Sequence, residues 1–127
     1  MKKIILVMGL SGSGKTYFCS SLLELFPSDS VDYFNADVIR KSYNDWDFSR
    51  EGRLRQVQRM RDLAEKSLKS TVIVDMICPL VEMREILKPD VIFFIDRVKE
   101  SQYKDTDKIF EPPCISECNS LFVINSV

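Results

Sequence analysis

Three of the four glycines in this 127-residue chain, Gly9, Gly12 and Gly14, fall within six positions. They lie in Gly9-Leu10-Ser11-Gly12-Ser13-Gly14-Lys15-Thr16, a full match to the pattern G-x-x-x-x-G-K-[ST]. The run before it, Ile4-Ile5-Leu6-Val7-Met8, is continuously apolar and suits a strand buried on both faces. After it, Phe18, Leu22, Leu23, Leu25 and Phe26 recur at helical spacing until Pro27, which is expected to end the helix. Strand, glycine loop and helix in this order make an anion cradle. Glycines let the backbone wrap closely around the anion, and successive N–H groups and the helix N-terminus point at it.

The pattern is that of a P-loop. Gly9, Ser11, Gly12, Ser13, Gly14, Lys15 and Thr16 are therefore the expected binding residues for ATP. Lys15 is placed to neutralise the β- and γ-phosphates, and the Thr16 hydroxyl to ligate Mg²⁺.

The rest of the chain alternates strands and helices. Strands are expected at Val31–Phe34, Thr71–Ile77, Val91–Asp96 and 121–127. Helices are expected at Val38–Tyr43, at Arg50–Lys69 with Ser49 as N-cap, and at Val81–Leu87. Leu54, Val57, Met60 or Arg61, Ala64 and Leu68 give the long helix one apolar stripe. The polar stretch 97–120, with Pro112-Pro113, reads as a loop. Apolar strands alternating with helices imply an α/β fold: a P-loop NTPase three-layer sandwich with a mostly parallel sheet of about five strands, in one domain over residues 1–127. The final strand either completes this sheet or pairs with a second copy in a homodimer.

Composition removes several alternatives. The chain has no histidine, which excludes His acid–base catalysis and His metal sites. A formal charge of −1 and a pI near 5.5 argue against a nucleic-acid partner. No apolar run is long enough for a membrane helix, and the run after Met1-Lys2-Lys3 ends at Gly9 without a cleavage site. Cys19, Cys78, Cys114 and Cys118 form no Cys-x-x-Cys pair and read as reduced thiols of a cytoplasmic protein.

Phosphoryl transfer also needs carboxylates. Asp37, Asp75 and Asp96 each follow an apolar strand, and ligands of parallel sheets gather at the carboxyl ends of strands. Asp37 is the leading candidate, Asp75 the next and Asp96 the weakest. Five of the eight arginines lie in residues 50–61: Arg50, Arg53, Arg55, Arg59 and Arg61. Arg53 and Arg59 share a helix edge with Gln56, and Arg40 can join them. The cluster reads either as a grip for an anionic acceptor or as a solvated face paired with Glu51, Asp62 and Glu65. Trp46 and Phe48 frame it, either stacking on a base or packing in the core.

These segments resemble the adenylylsulfate kinases, whose loop reads Gly-Leu-Ser-Gly-Ser-Gly-Lys-Ser. Asn35-Ala36-Asp37-Val38-Ile39-Arg40 stands where that family has Asp-Gly-Asp-Asn-Val-Arg. Phe48-Ser49 with Arg53 and Arg59 resembles its Gly-Phe-Ser…Arg…Asn…Arg segment. Ile77-Cys78-Pro79 stands where the family has Ile-Ser-Pro, and Phe110-Glu111-Pro112-Pro113 resembles its Tyr-Glu-Pro-Pro. The resemblance implies transfer of the ATP γ-phosphoryl to the 3′-OH of adenylylsulfate, in the service of sulfate assimilation. It implies Asp37 as magnesium organiser or base. It also implies Arg40, Phe48, Arg53, Arg59, Ile77, Cys78 and Pro79 around a small anionic nucleotide acceptor. Asn35 departs from the family's first aspartate, Gln56 from its asparagine and Cys78 from its serine, and the basic lid before Glu-Pro-Pro is much shortened over residues 97–120. Asp75 sits like a Walker-B aspartate.

The expected function is thus an ATP-dependent kinase with Lys15, Asp37 and Asp75 as catalytic residues and Thr16 and Asp37 as metal ligands. The alternatives are a kinase of another nucleotide-like anion, such as a cytidine diphosphoramidate, and an ATP-binding module without transferase activity. A guanine-specific enzyme is disfavoured, because no Asn/Thr-Lys-x-Asp motif follows.

Overall fold

The computed structural model describes residues 2–125. Five strands, β1 (Lys3–Met8), β2 (Val31–Asn35), β3 (Thr71–Asp75), β4 (Val91–Ile95) and β5 (Ser120–Ile124), form one sheet in the order β2-β3-β1-β4-β5. Every pair is parallel, and Asn35 lies opposite Asp75 across β2 and β3. The helices are α1 (Lys15–Leu23), α2 (Ala36–Tyr43), α3 (Arg50–Lys66), α4 (Val81–Leu87) and α5 (Lys104–Ile109), with a 3₁₀ turn at Ile115–Glu117.

Strand alternation divides the core into two layers. Ile4, Leu6 and Met8 face Val57, Met60 and Ala64 of α3 and Met83 and Leu87 of α4. Ile5 and Val7 face Cys19, Phe18 and Leu22 of α1. A strand covered on both sides needs apolar residues at every position, which is why β1 shows no polar alternation.

Several boundaries differ from expectation. The first helix ends at Leu23, where Leu25 N–H and Phe26 N–H turn back to the Leu22 and Leu23 carbonyls, so Leu25 is exposed rather than core. The long helix stops at Lys66, and Leu68, assigned to its stripe, lies fully in solvent. At its other end Ser49 caps it as expected, its Oγ accepting from Gly52 N–H at 3.2 Å. Met60, not Arg61, is the core member of the stripe. Segment 97–120 is not all loop, because α5 and the 3₁₀ turn interrupt it. β5 completes the chain's own sheet, and the expected strand over 121–127 falls partly on residues outside those described. Among the described residues no helix is long and apolar enough to cross a membrane.

Candidate active site

The carboxyl ends of β1, β2 and β3 open into a cavity of about 1070 Å³. Its floor is the glycine loop. Gly9 takes φ +151, and a Cβ there would stand 2.6 Å from the Ile95 carbonyl, so no other residue fits between β1 and β4. Gly12 and Gly14 take φ +82 and +99, which turns the loop into α1. Ser11, Gly12, Gly14, Lys15 and Thr16 line the cavity. Gly9 and Ser13 lie behind that lining, and the Ser13 carbonyl accepts from Arg97 Nη1 at 3.0 Å. Lys15 Nζ donates to the Leu10 carbonyl at 3.2 Å. Burial pushes its pKa down, against the pull of Asp75 and Asp37.

Asp75 ends β3, buried. Its Oδ2 accepts from Thr16 Oγ1 at 2.9 Å, Tyr33 OH at 2.6 Å and Asn35 Nδ2 at 3.3 Å. Burial, then the Asp75 hydrogen bond, pushes the Tyr33 phenol up, which keeps it a proton donor. Burial and the nearby Asp75 push the Cys19 thiol up as well, so a neutral thiol lies under the loop. Asn35 is also the N-cap of α2, its Oδ1 accepting from the Asp37 and Val38 amides at 2.9 and 3.2 Å. Asp37 lines the cavity from the first turn of α2. Asp96 stands apart, bound by Lys99 Nζ at 2.9 Å outside the cavity lining.

The opposite wall comes from α2, α3 and the loop between them. Arg40 and Arg53 line it, each 5% exposed, and neither forms an ion pair among the described residues. Their guanidinium carbons lie 4.4 and 5.5 Å from the centre of the Phe48 ring. Arg40 Nη1 holds the Asp45 and Asp47 carbonyls, and Arg53 Nε holds the Phe48 carbonyl at 2.8 Å. Burial pushes both arginine pKa values down. Trp46 and Phe48 are half-exposed and face the cavity rather than the core.

The rest of the arginine cluster lies elsewhere. Arg59, expected at the acceptor, is absent from the lining. It pairs with Asp45 at 2.8 Å, holds Gln56 Oε1 at 3.2 Å and lies over the Tyr43 ring. Arg55 binds Asp45 and Asp47, Arg50 binds Glu82, and Arg61 binds Glu65. The cluster therefore divides. Arg53 joins Arg40 at the cavity, while Arg55 and Arg59 fasten the loop that carries Trp46 and Phe48.

Ile77, Cys78 and Pro79 line the cavity beyond Asp75. Cys78 takes φ +50, and burial pushes its thiol up to about 12. Its carbonyl accepts from Arg84 Nη1 at 2.8 Å. The roof is the short segment around α5, with Gln102, Tyr103, Lys104, Asp105 and Thr106 on the cavity. Thr106 Oγ1 accepts from Arg53 Nη2 at 3.0 Å, joining roof to wall. Sequence reading missed Tyr33, Arg84 and α5. Tyr33 looked like an ordinary strand residue, Arg84 lay in a short helix, and a six-residue helix with Ile109 as its only apolar residue carries little helical signal.

The sequence model of the family described as adenylylsulphate kinase matches residues 1–96. The chain belongs to that family. The match ends at β4, so the roof segment of this adenylylsulfate kinase family member lies outside it. Solved structures show the same fold at low identity. The Mycobacterium tuberculosis APS kinase CysC, in complex with AMPPNP and APS, superposes with a TM-score of 0.70 at 18% identity, covering 99% of this chain and 90% of that one. A gluconokinase from Sinorhizobium meliloti 1021 gives 0.70 at 17%, covering 98% and 83%. A thymidylate kinase from Ehrlichia chaffeensis gives 0.54 at 16%, covering 97% and 92%. A search of curated proteins found no match. The chain is an ATP-dependent small-molecule kinase.

Proposed function

We propose that this kinase transfers the γ-phosphoryl group of ATP to the 3′-hydroxyl of adenylylsulfate, giving 3′-phosphoadenylylsulfate, as a cytoplasmic enzyme. One observation carries the acceptor reading. Arg40 and Arg53 place two buried positive charges on the cavity, and among the described residues no carboxylate is paired to them. A buried unpaired charge is costly unless an anion meets it, and guanidinium forks match sulfate and phosphate oxygens. The solved relative bound to AMPPNP and APS has the same fold and supports the assignment.

In this reading the loop amides and Lys15 bind the triphosphate. The side chains that would face the ion, Thr16 and Asp37, offer only oxygen, which suits a hard cation. Among the described residues no cluster of three or more His, Cys, Asp or Glu side chains forms a self-sufficient metal cage. That fits Mg²⁺, which is held by one or two side chains together with substrate phosphates. Thr16 and Asp37 would hold it, and it would supply charge neutralisation on the transferring group. Asp75, its Oδ2 already filled by three donors, orients Thr16. The Asp37 carboxylate accepts the proton of the acceptor hydroxyl. That oxygen bonds to the γ-phosphorus as the bond to the β–γ bridging oxygen breaks, releasing ADP. Phe48 and Trp46 stack on the acceptor base, and Ile77, Cys78 and Pro79 border it.

Turnover of ATP to ADP with adenylylsulfate, with cytidine diphosphate derivatives and without acceptor tests the proposal. Stimulation by adenylylsulfate is expected. Stimulation by another nucleotide alone would move the acceptor, and none at all would favour an ATP-binding module. The second acceptor class has one observation in its favour: the roof places Asp105 beside Lys104 and within electrostatic reach of Arg53, so it is not a purely basic lid.

A further inference from the structure

The position where the resembled family has its first aspartate is Asn35 here, and the structure shows what the amide does there. Asn35 and Asp75 lie opposite each other on β2 and β3, and Asn35 Nδ2 reaches Asp75 Oδ2 at 3.3 Å. An aspartate at position 35 would oppose Asp75 with a second negative charge. An amide serves two tasks that a carboxylate cannot combine. Its oxygen receives the Asp37 and Val38 amides, and its nitrogen donates toward Asp75 and, at 3.3 Å, toward Tyr33 OH.

Tyr33 completes the arrangement. It sits two residues before Asn35 on the same strand, so both side chains project from the same face of β2. Its hydroxyl makes the shortest contact to Asp75, at 2.6 Å. Tyr33 is not part of the cavity lining, so it reaches the reaction through Asp75 and Asn35, which are. We propose that Tyr33, with Asn35, is a positioning residue that fixes Asp75 Oδ2 against the Thr16 hydroxyl, so that the metal-binding oxygen of Thr16 is held in place from the neighbouring strand. This inference rests on the Mg²⁺ site proposed at Thr16.

The test is a double-mutant cycle with Tyr33→Phe, Asp75→Asn and the pair. Calorimetry measures ATP affinity with and without Mg²⁺ for each protein, and steady-state kinetics separates kcat from KM. The metal-free ATP affinity reports an intact loop and a folded protein. Tyr33→Phe is expected to lose about tenfold of the Mg²⁺-dependent gain in ATP affinity, as befits a hydrogen bond to a charged group. It is expected to lower kcat while leaving acceptor KM within about twofold. In the Asp75→Asn background the same change is expected to have almost no effect. Equal losses in both backgrounds, or an unchanged Mg²⁺ gain in Tyr33→Phe, would overturn the inference and leave the metal site standing. A wild-type protein whose ATP affinity ignores Mg²⁺ would overturn the metal site and the inference with it.

Discussion

The Arg84 guanidinium meets Glu117 at 2.6 Å and, from the same fork, holds the carbonyls of Cys78 and Glu111 at 2.8 Å each. One buried side chain thus joins the cavity border after β3 to both ends of the segment that follows the roof. Replacing it leaves the two carbonyls without this donor and Glu117 without its cation, held by the Cys114 amide alone. Arg84→Met is expected to destabilise the fold by about 3–5 kcal/mol, read from denaturant unfolding.

The same pair has a pH signature. Burial pushes the Glu117 carboxyl up, but the hydrogen bonds from Arg84 and Cys114 outweigh it and hold the pKa below the ordinary 4.5. A carboxyl depressed on folding contributes stability that is complete above its unfolded pKa and is lost as pH falls through the folded one. Melting temperature should therefore fall below about pH 4.5, and Glu117→Gln should flatten that fall. An unchanged acid limb in Glu117→Gln would show that other carboxyls set it.

Arg53 and Arg59 share a helix edge but not an environment. Arg53→Gln is expected to raise acceptor KM by about 10–100-fold with ATP KM nearly unchanged, the loss of a charge-assisted contact. Arg59→Gln, whose partner is Asp45, is expected to raise it at least several-fold less. Equal effects would return Arg59 to the acceptor.

Gly52 lies inside α3, where alanine ordinarily gains about 1 kcal/mol. Here a Cβ would collide with the Asp47 backbone carbonyl. Gly52→Ala is therefore expected to displace the loop bearing Trp46 and Phe48, weakening acceptor binding while sparing ATP affinity. The single tryptophan supplies the readout, as a change in emission of the free protein.

The glycine loop, its strand and its helix were legible because backbone chemistry dictates them. The pattern Gly9–Thr16 admits few geometries, and the apolar run of β1 admits few environments. Ser49 could be read as an N-cap for the same local reason. Arg59 could not be separated from Arg53 by spacing, because what divides them is Asp45, on a loop whose path depends on Gly52 and on Arg40 holding its carbonyls. Tyr33 was invisible because its role arises only when β2 lies beside β3. Leu68 misled because its apolar spacing continues past the point where Ser67 N–H, bonded to Leu63 O, closes the helix.

The central position of β1 also orders events during synthesis. Its partners, β3 and β4, begin at Thr71 and Val91, so β1 has no neighbour in the sheet until those later segments have been made. Gly9 packs on the Ile95 carbonyl, so the loop gains its final shape only once β4 is in place. Parallel pairing of this kind is slow and leaves apolar strands open to wrong partners. A nascent chain stalled before residue 91 would carry the complete glycine-loop sequence without the Ile95 carbonyl on which Gly9 packs.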